Sequence, residues 1–263
     1  MVNVMAMLST KQVALVSIFA ALIVAITRLP GIPIGLGKGT GSIELSVPLY
    51  PLAGIFLGPF AGAIAVIIGN FIAWLIPSST MLGLLMIPTG AIAALVSGFL
   101  VRRASWTDWK LAAVMLAALD ILWYTTPVGL EAPLYPLPLH FSALLLVLIF
   151  RHNIVDYVES QSRRFVTIGI ALTTFIGTMA EHMTGNLVFI SALGVVVDLK
   201  TIRNSIRAIG MIWVKLGVPE MSSGVGDFFM LFLPVTAVER IVFTAIATVI
   251  GVAVIRILGK SRF

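Results

Sequence analysis

Long apolar runs, each closed by a glycine, a proline or a cluster of charges, are what most constrain this chain. A helix needs about 20 mostly apolar residues to cross a hydrocarbon core of about 30 Å. Runs near or above that length fall at about residues 12–29, 42–57, 59–76, 83–101, 109–125, 136–150, 165–190 and 233–258. Only 11% of the residues are charged, against about 25% in soluble domains, and mean hydropathy is +1.10. A soluble domain of any size is excluded, and the expected fold is an all-α integral membrane protein of about eight spans. Gly58 and Pro59 mark the turn between the second and third spans, since proline suits the first turn of a new helix. Pro48 and Pro51 make the second span begin irregularly, which membrane depth tolerates where protein or a wet cavity surrounds the backbone.

The basic residues sort by side. With the first span running outward, Lys11, Arg102, Arg103, Lys110, Arg151, Arg163, Arg164, Arg256, Lys260 and Arg262 fall together, and only Arg28 and Lys38 occupy the short loops opposite. Lys and Arg accumulate on the cytoplasmic side of spans, so both termini are expected in the cytoplasm and the chain in the cell membrane. This sorting accounts for the net charge of +6 without nucleic acid. The first run, followed by Thr27, Arg28 and Pro30, reads as a retained helix rather than a signal peptide. The long external segment 191–230 departs from the pattern. Within it Val195, Leu199, Ile202, Ile206, Ile209 and Trp213 recur at spacings of four and three, opposite Asp198, Lys200, Arg203, Asn204 and Arg207. That is an amphipathic helix lying in the outer interface, or a lid over a site.

Ionisable groups inside spans cost roughly 2.5 to 3.5 kcal/mol each near the bilayer centre, so each requires a reason. Glu44, Asn70, Asp120, His140, Glu181, His182, Asn186, Glu239 and Arg240 all fall in the outer halves of their spans. Both leaflets are equally apolar, so a polar cavity open to the exterior explains this one-sidedness. Asn70 and Trp74 lie four apart on one helix face, a polar hook below an aromatic platform. Glu181, His182 and Asn186 lie within about one and a half turns and form a binding cluster. Glu239 and Arg240 point about 100° apart, so partners on other helices are expected for them. Asp120 and His140 are read as approaching the interface.

The loop "GIPIGLGKGTGSIELS", residues 31–46, looks at first like a phosphate loop. The nucleotide motif needs glycine, four residues, glycine, lysine and a hydroxyl; Ile32 and Gly39 occupy two of those positions. The glycines instead supply mobility to an external segment, with Lys38 as a solute contact. No zinc-type histidine pair with glutamate and no Gly-x-Ser-x-Gly elbow is present, and the chain has no cysteine. No catalytic residue, metal or cofactor is assigned. On the first helix Ser17, Ala21 and Ala25 recur by fours, a small-residue stripe that admits a second helix closely in lipid.

The stretch "SIELSVPLYPLAGIFLGPFAGAIAVIIGNFIAW" resembles the substrate-binding S component of energy-coupling factor (ECF) transporters. The similarity lies in the Ser17, Ala21 and Ala25 stripe, the loop 31–41, Glu44, and the turn of Leu57, Gly58, Pro59 and Gly62. "MAEHMTGNLVFI" resembles the end of the family's fifth helix, and the last span, with Pro234, Glu239 and Arg240, its sixth. The resemblance implies a single transmembrane domain, 1–263, of six core helices, with 109–151 an inserted helical hairpin. It further implies a vitamin-type uptake subunit that binds a small organic solute from outside. Its first helix would meet a membrane coupling (T) subunit driven by two ATPase subunits, with the loop after that helix as a gate. "MVNVMAM" lacks the early histidine of nickel and cobalt members, which implies an organic substrate. A stand-alone secondary transporter or permease would need charges through both leaflets, and a membrane enzyme a nucleophile or metal set.

Overall fold

The computed structural model describes residues 9–33, 42–76, 80–103, 108–215 and 224–258. Each expected apolar run contains a helix: α1 (Thr10–Thr27), α2 (Leu49–Leu57), α3 (Pro59–Leu75), α4 (Met81–Leu100), α5 (Trp109–Tyr124), α7 (His140–Phe150), α9 (Arg163–Ala192) and α11 (Val225–Leu258). Short helices α6 (Pro127–Glu131) and α8 (Asn153–Val158) and the amphipathic α10 (Leu199–Lys215) join them. The only described strands are β1 (Ile32–Pro33) and β2 (Ser42–Ile43), an antiparallel pair flanking the loop after α1. By length and composition α1, α4, α9 and α11 are suited to cross a membrane alone, while α3 and α7 are apolar but shorter. The fold is all-α and membrane-embedded.

Local rules set the helix ends. Ser9 and Gln12 form a reciprocal capping box at the start of α1. Gly58 takes φ 84, a left-handed conformation that glycine adopts at little cost, and Pro59 then opens α3. The second run does begin irregularly: turns occupy residues 45–48, and α2 starts only at Leu49.

α4 is the hub, packing against α2, α3, α5 and α9. Small residues let it do so: a Cβ on Gly54 of α2 would lie 2.0 Å from the Ala94 carbonyl oxygen of α4. Where lipid replaces water, such close backbone approach substitutes for the hydrophobic drive. The core of Leu52, Ala53, Val66, Ala93, Ala94, Ile170 and Phe243 fills the space between these helices. The outer face of α3 is the reverse, with Phe60, Ile64, Ile67, Phe71 and Leu75 exposed as a lipid-facing surface. α1 buries Val16, Ala20 and Ile23 and leaves Ser17, Ala21 and Ala25 exposed among the described residues.

The segment 109–151 is built into the bundle: Ala112 and Leu116 of α5 and Ala143 and Val147 of α7 share a core with Val96, Ile176 and Met179. At its far end Trp123 stacks on Tyr135, centroids 4.8 Å apart, against Phe229 of α11. Arg103, just beyond α4, ties to Asp156 of α8 at 2.6 Å and to Glu159 at 2.7 Å.

Two boundaries differ from the periodicity. α10 starts at Leu199, because Gly194 (φ 75) turns the chain and the Asp198 carboxylate accepts the Lys200 amide at 3.1 Å; Val195 is left in the turn. Ile202 and Ile206 of α10 bury against Phe189, Phe228 and Leu231. α11 starts at Val225, well before Leu233, and carries Pro234 inside it. Neighbouring helices in a membrane bundle re-satisfy the backbone groups that a proline frees, so it need not open the helix.

Candidate functional site

Where α3 ends and α4 begins, α2, α3, α4, α9 and α11 surround a cavity of about 680 Å³. One wall is a chain of hydroxyls and an amide. The Ser46 hydroxyl meets the Tyr50 hydroxyl at 3.0 Å, and Tyr50 donates to Asn70 Oδ1 at 3.1 Å. Glu44 is exposed at the head of this wall. One turn beyond Asn70, the Trp74 indole stacks on Phe71 and donates its N–H to the Thr80 carbonyl at 2.9 Å. That bond is local in origin, because Thr80 also caps α4 by accepting the Gly83 amide at 3.1 Å. Arg28, at the end of α1, reaches the Ala73 carbonyl and closes the same rim.

The opposite wall is ionic. Arg240 of α11 donates to Glu181 of α9 at 2.6 Å and approaches Glu239 at 3.2 Å. Its guanidinium also lies 5.2 Å from the Phe243 ring centroid. Its Nε has no hydrogen-bond partner among the described residues. Glu239 and Arg240 therefore do pair, contrary to the expectation from their 100° separation: the long arginine side chain bends back to its neighbour while reaching across to α9. Of the cavity's charged residues, Glu44, Glu181 and Glu239 are acidic and Arg28 and Arg240 basic. The described lining thus carries a small excess of negative charge.

The expected cluster on α9 is split by the helix itself. Glu181 faces the cavity, whereas the next residue lies about 100° around the axis. His182 instead meets His140, Nδ1 to Nε2 at 3.0 Å, with the rings 6° from parallel. Asn186 donates to the Tyr135 hydroxyl at 3.1 Å. Neither His182 nor Asn186 lines the cavity. Asp120 and His140 are not interfacial but buried, 3% and 1% exposed: α5, which carries Asp120, packs against α4, α7 and α9, and the Tyr135 ring lies 5.7 Å from that of His140. Asp120 Oδ2 and His140 Nδ1 lack hydrogen-bond partners among the described residues.

Of the residues singled out in the sequence, Glu44, Asn70, Trp74, Glu181, Glu239 and Arg240 line one cavity. Lys38 lies outside the described residues. Tyr50, Arg28 and Thr80 were missed. The sequence signal for Tyr50 is its place four residues after Ser46 on the helix that Glu44 precedes, and Arg28 reads from the sequence as a loop charge. The described part of α10 contributes nothing to the lining. Among the described residues no group of three or more His, Asp or Glu side chains is placed to hold a metal.

The family described as ECF-type riboflavin transporter, S component, matches residues 7–135. An uncharacterized protein of Methanocaldococcus jannaschii is 31% identical over 140 residues, 53% of this chain and 46% of the relative. The chain thus matches about half the length of that relative. The biotin transporter BioY of Rhodobacter capsulatus is 30% identical over 170 residues, 56% of this chain and 88% of BioY. No solved structure matches. With most of BioY's length matched and the S-component family recognised across the helices that build one wall of the cavity, this chain belongs to the S components of ECF transporters.

Proposed function

We propose that the chain captures a vitamin-like small organic solute from outside the cell and delivers it inward with a membrane coupling subunit and two ATPase subunits. The observation that carries this reading is the cavity of about 680 Å³ bordered by Trp74, Asn70 and the Glu181, Arg240 and Glu239 group. Pockets for small organic ligands run roughly 300–1,000 Å³ and combine apolar walls with a few fixed polar groups. A flat apolar part of the solute lies on Trp74, and its hydrogen-bond donors meet the carboxylates of Glu44 and Glu239. The matched names, a riboflavin and a biotin transporter, support a vitamin or a vitamin precursor as the solute class. The loop that begins after β1 serves as the gate, with Lys38 reaching the solute. The outward stripe of Ser17, Ala21 and Ala25 is the contact for the coupling subunit.

The protein is multi-pass, and in this reading it sits in the cell membrane with both termini cytoplasmic and the cavity facing out. The test is to purify the full chain from its expression host and identify co-purified small molecules by mass spectrometry, then to measure uptake with and without the ATPase subunits. A bound vitamin and ATPase-dependent uptake are expected. Uptake that proceeds equally without the ATPases refutes the assignment.

A further inference from the structure

At the end of α4 opposite the cavity, about 20–30 Å from its lining along the helix, a second pocket of about 560 Å³ opens between the end of α4, the start of α5 and the turn after α7. Trp109 stands at its centre. The Arg151 guanidinium lies 5.3 Å and the Lys110 ammonium 5.9 Å from the indole, and His152 meets it edge-on at 6.0 Å. Arg102, Arg103, Asp108 and Val155 also line it. Arg103 is compensated by Asp156 and Glu159. Arg102 and Arg151 enter no ion pair among the described residues. Among the described residues Asp108 is the one acidic member of the lining, which therefore holds an excess of positive charge.

Like charges gathered around one concavity repel, and an anion at its centre relieves them. The surface next to the pocket identifies the anion. Val114 on α5, one turn after Lys110, and Leu148 and Ile149 on α7, within a turn of Arg151, are 62%, 44% and 59% exposed, so exposed apolar side chains border the basic pocket on both helices. A water-soluble phosphate gains nothing from such a surface, whereas acyl chains would. Trp109 also sits where an indole favours the headgroup level. We propose that this pocket binds the phosphate headgroup of an anionic phospholipid, held by Arg102 and Arg151 over Trp109, with its acyl chains against α5 and α7.

The test is native mass spectrometry of the full chain in mild detergent with equimolar phosphatidylglycerol and phosphatidylcholine. Preferential retention of phosphatidylglycerol is expected. Juxtamembrane cations contribute about 1 kcal/mol each towards anionic lipid, so Arg151→Gln should lower the preference about fivefold. Arg102→Gln with Arg151→Gln should lower it by roughly 25-fold. Lys200→Gln with Arg203→Gln on α10 should leave it unchanged. Equal retention of the two lipids, or a preference lost in the α10 variant and kept in Arg151→Gln, overturns the proposal. Displacement of phosphatidylglycerol by millimolar inorganic phosphate overturns it in favour of a free-anion site. The single substitution guards against misfolding of the double one.

Discussion

Replacing Arg240 by methionine keeps most of the side-chain volume and removes the charge that Glu181 and Glu239 share. The Arg240 and Glu181 side chains are only 6% and 13% exposed, so Glu181 would be left as a nearly buried carboxylate without its cation. Removing one partner of a buried pair costs about 3–5 kcal/mol. The cavity beside the pair admits water, which places the cost at the lower end, about 3 kcal/mol. At roughly 2–4 °C per kcal/mol for a chain approaching this size, the unfolding midpoint should fall by about 6–12 °C. Thermal unfolding of purified protein in detergent measures this. The companion variant carrying Arg240→Met and Glu181→Gln should regain at least half of the loss, because the stranded charge is gone. If the single variant keeps its midpoint, or the double variant loses the sum of both single effects, Arg240 is not what makes Glu181 tolerable between α9 and α11.

Lys38→Ala should weaken solute binding while leaving membrane insertion intact, and an unchanged affinity by calorimetry removes Lys38 from the site. Trp74→Ala should weaken binding about tenfold, since an aromatic platform contributes roughly 0.5–1.5 kcal/mol beyond its buried area; equal affinity would place the solute elsewhere in the cavity. Ala21→Leu on the outward face of α1 should leave solute binding unchanged and abolish co-purification with the coupling subunit. A normal complex with that variant would show that the stripe is not the contact.

The membrane fold was legible because length and apolarity are local properties. So was the polar cavity, because placing Asn70, Glu181 and Arg240 within apolar spans requires a common reason. What the periodicity could not show was which neighbour each side chain meets. Glu181 and His182 are adjacent in sequence, yet one faces the cavity and the other stacks on His140. Asp120 looked interfacial because it lies near Trp123 and Tyr124. Its burial comes with the packing of α5 against α4, α7 and α9, a tertiary event that no window of the sequence records. The early start of α11 was hidden for a similar reason: Pro234 is read as a boundary unless the surrounding helices are known to support the freed backbone.

The contact of Gly54 with the Ala94 carbonyl bears on how such a cavity changes its occupant. Two backbones meet there with no side chain between them, so the spacing of α2 from α4 is set by peptide dimensions and not by the residues that line the cavity. Tyr50 stands one turn before that contact, on a strut of fixed length. Substitutions at Asn70, Trp74 or Thr89 can therefore reshape the interior chemistry while the distance between those two walls stays constant.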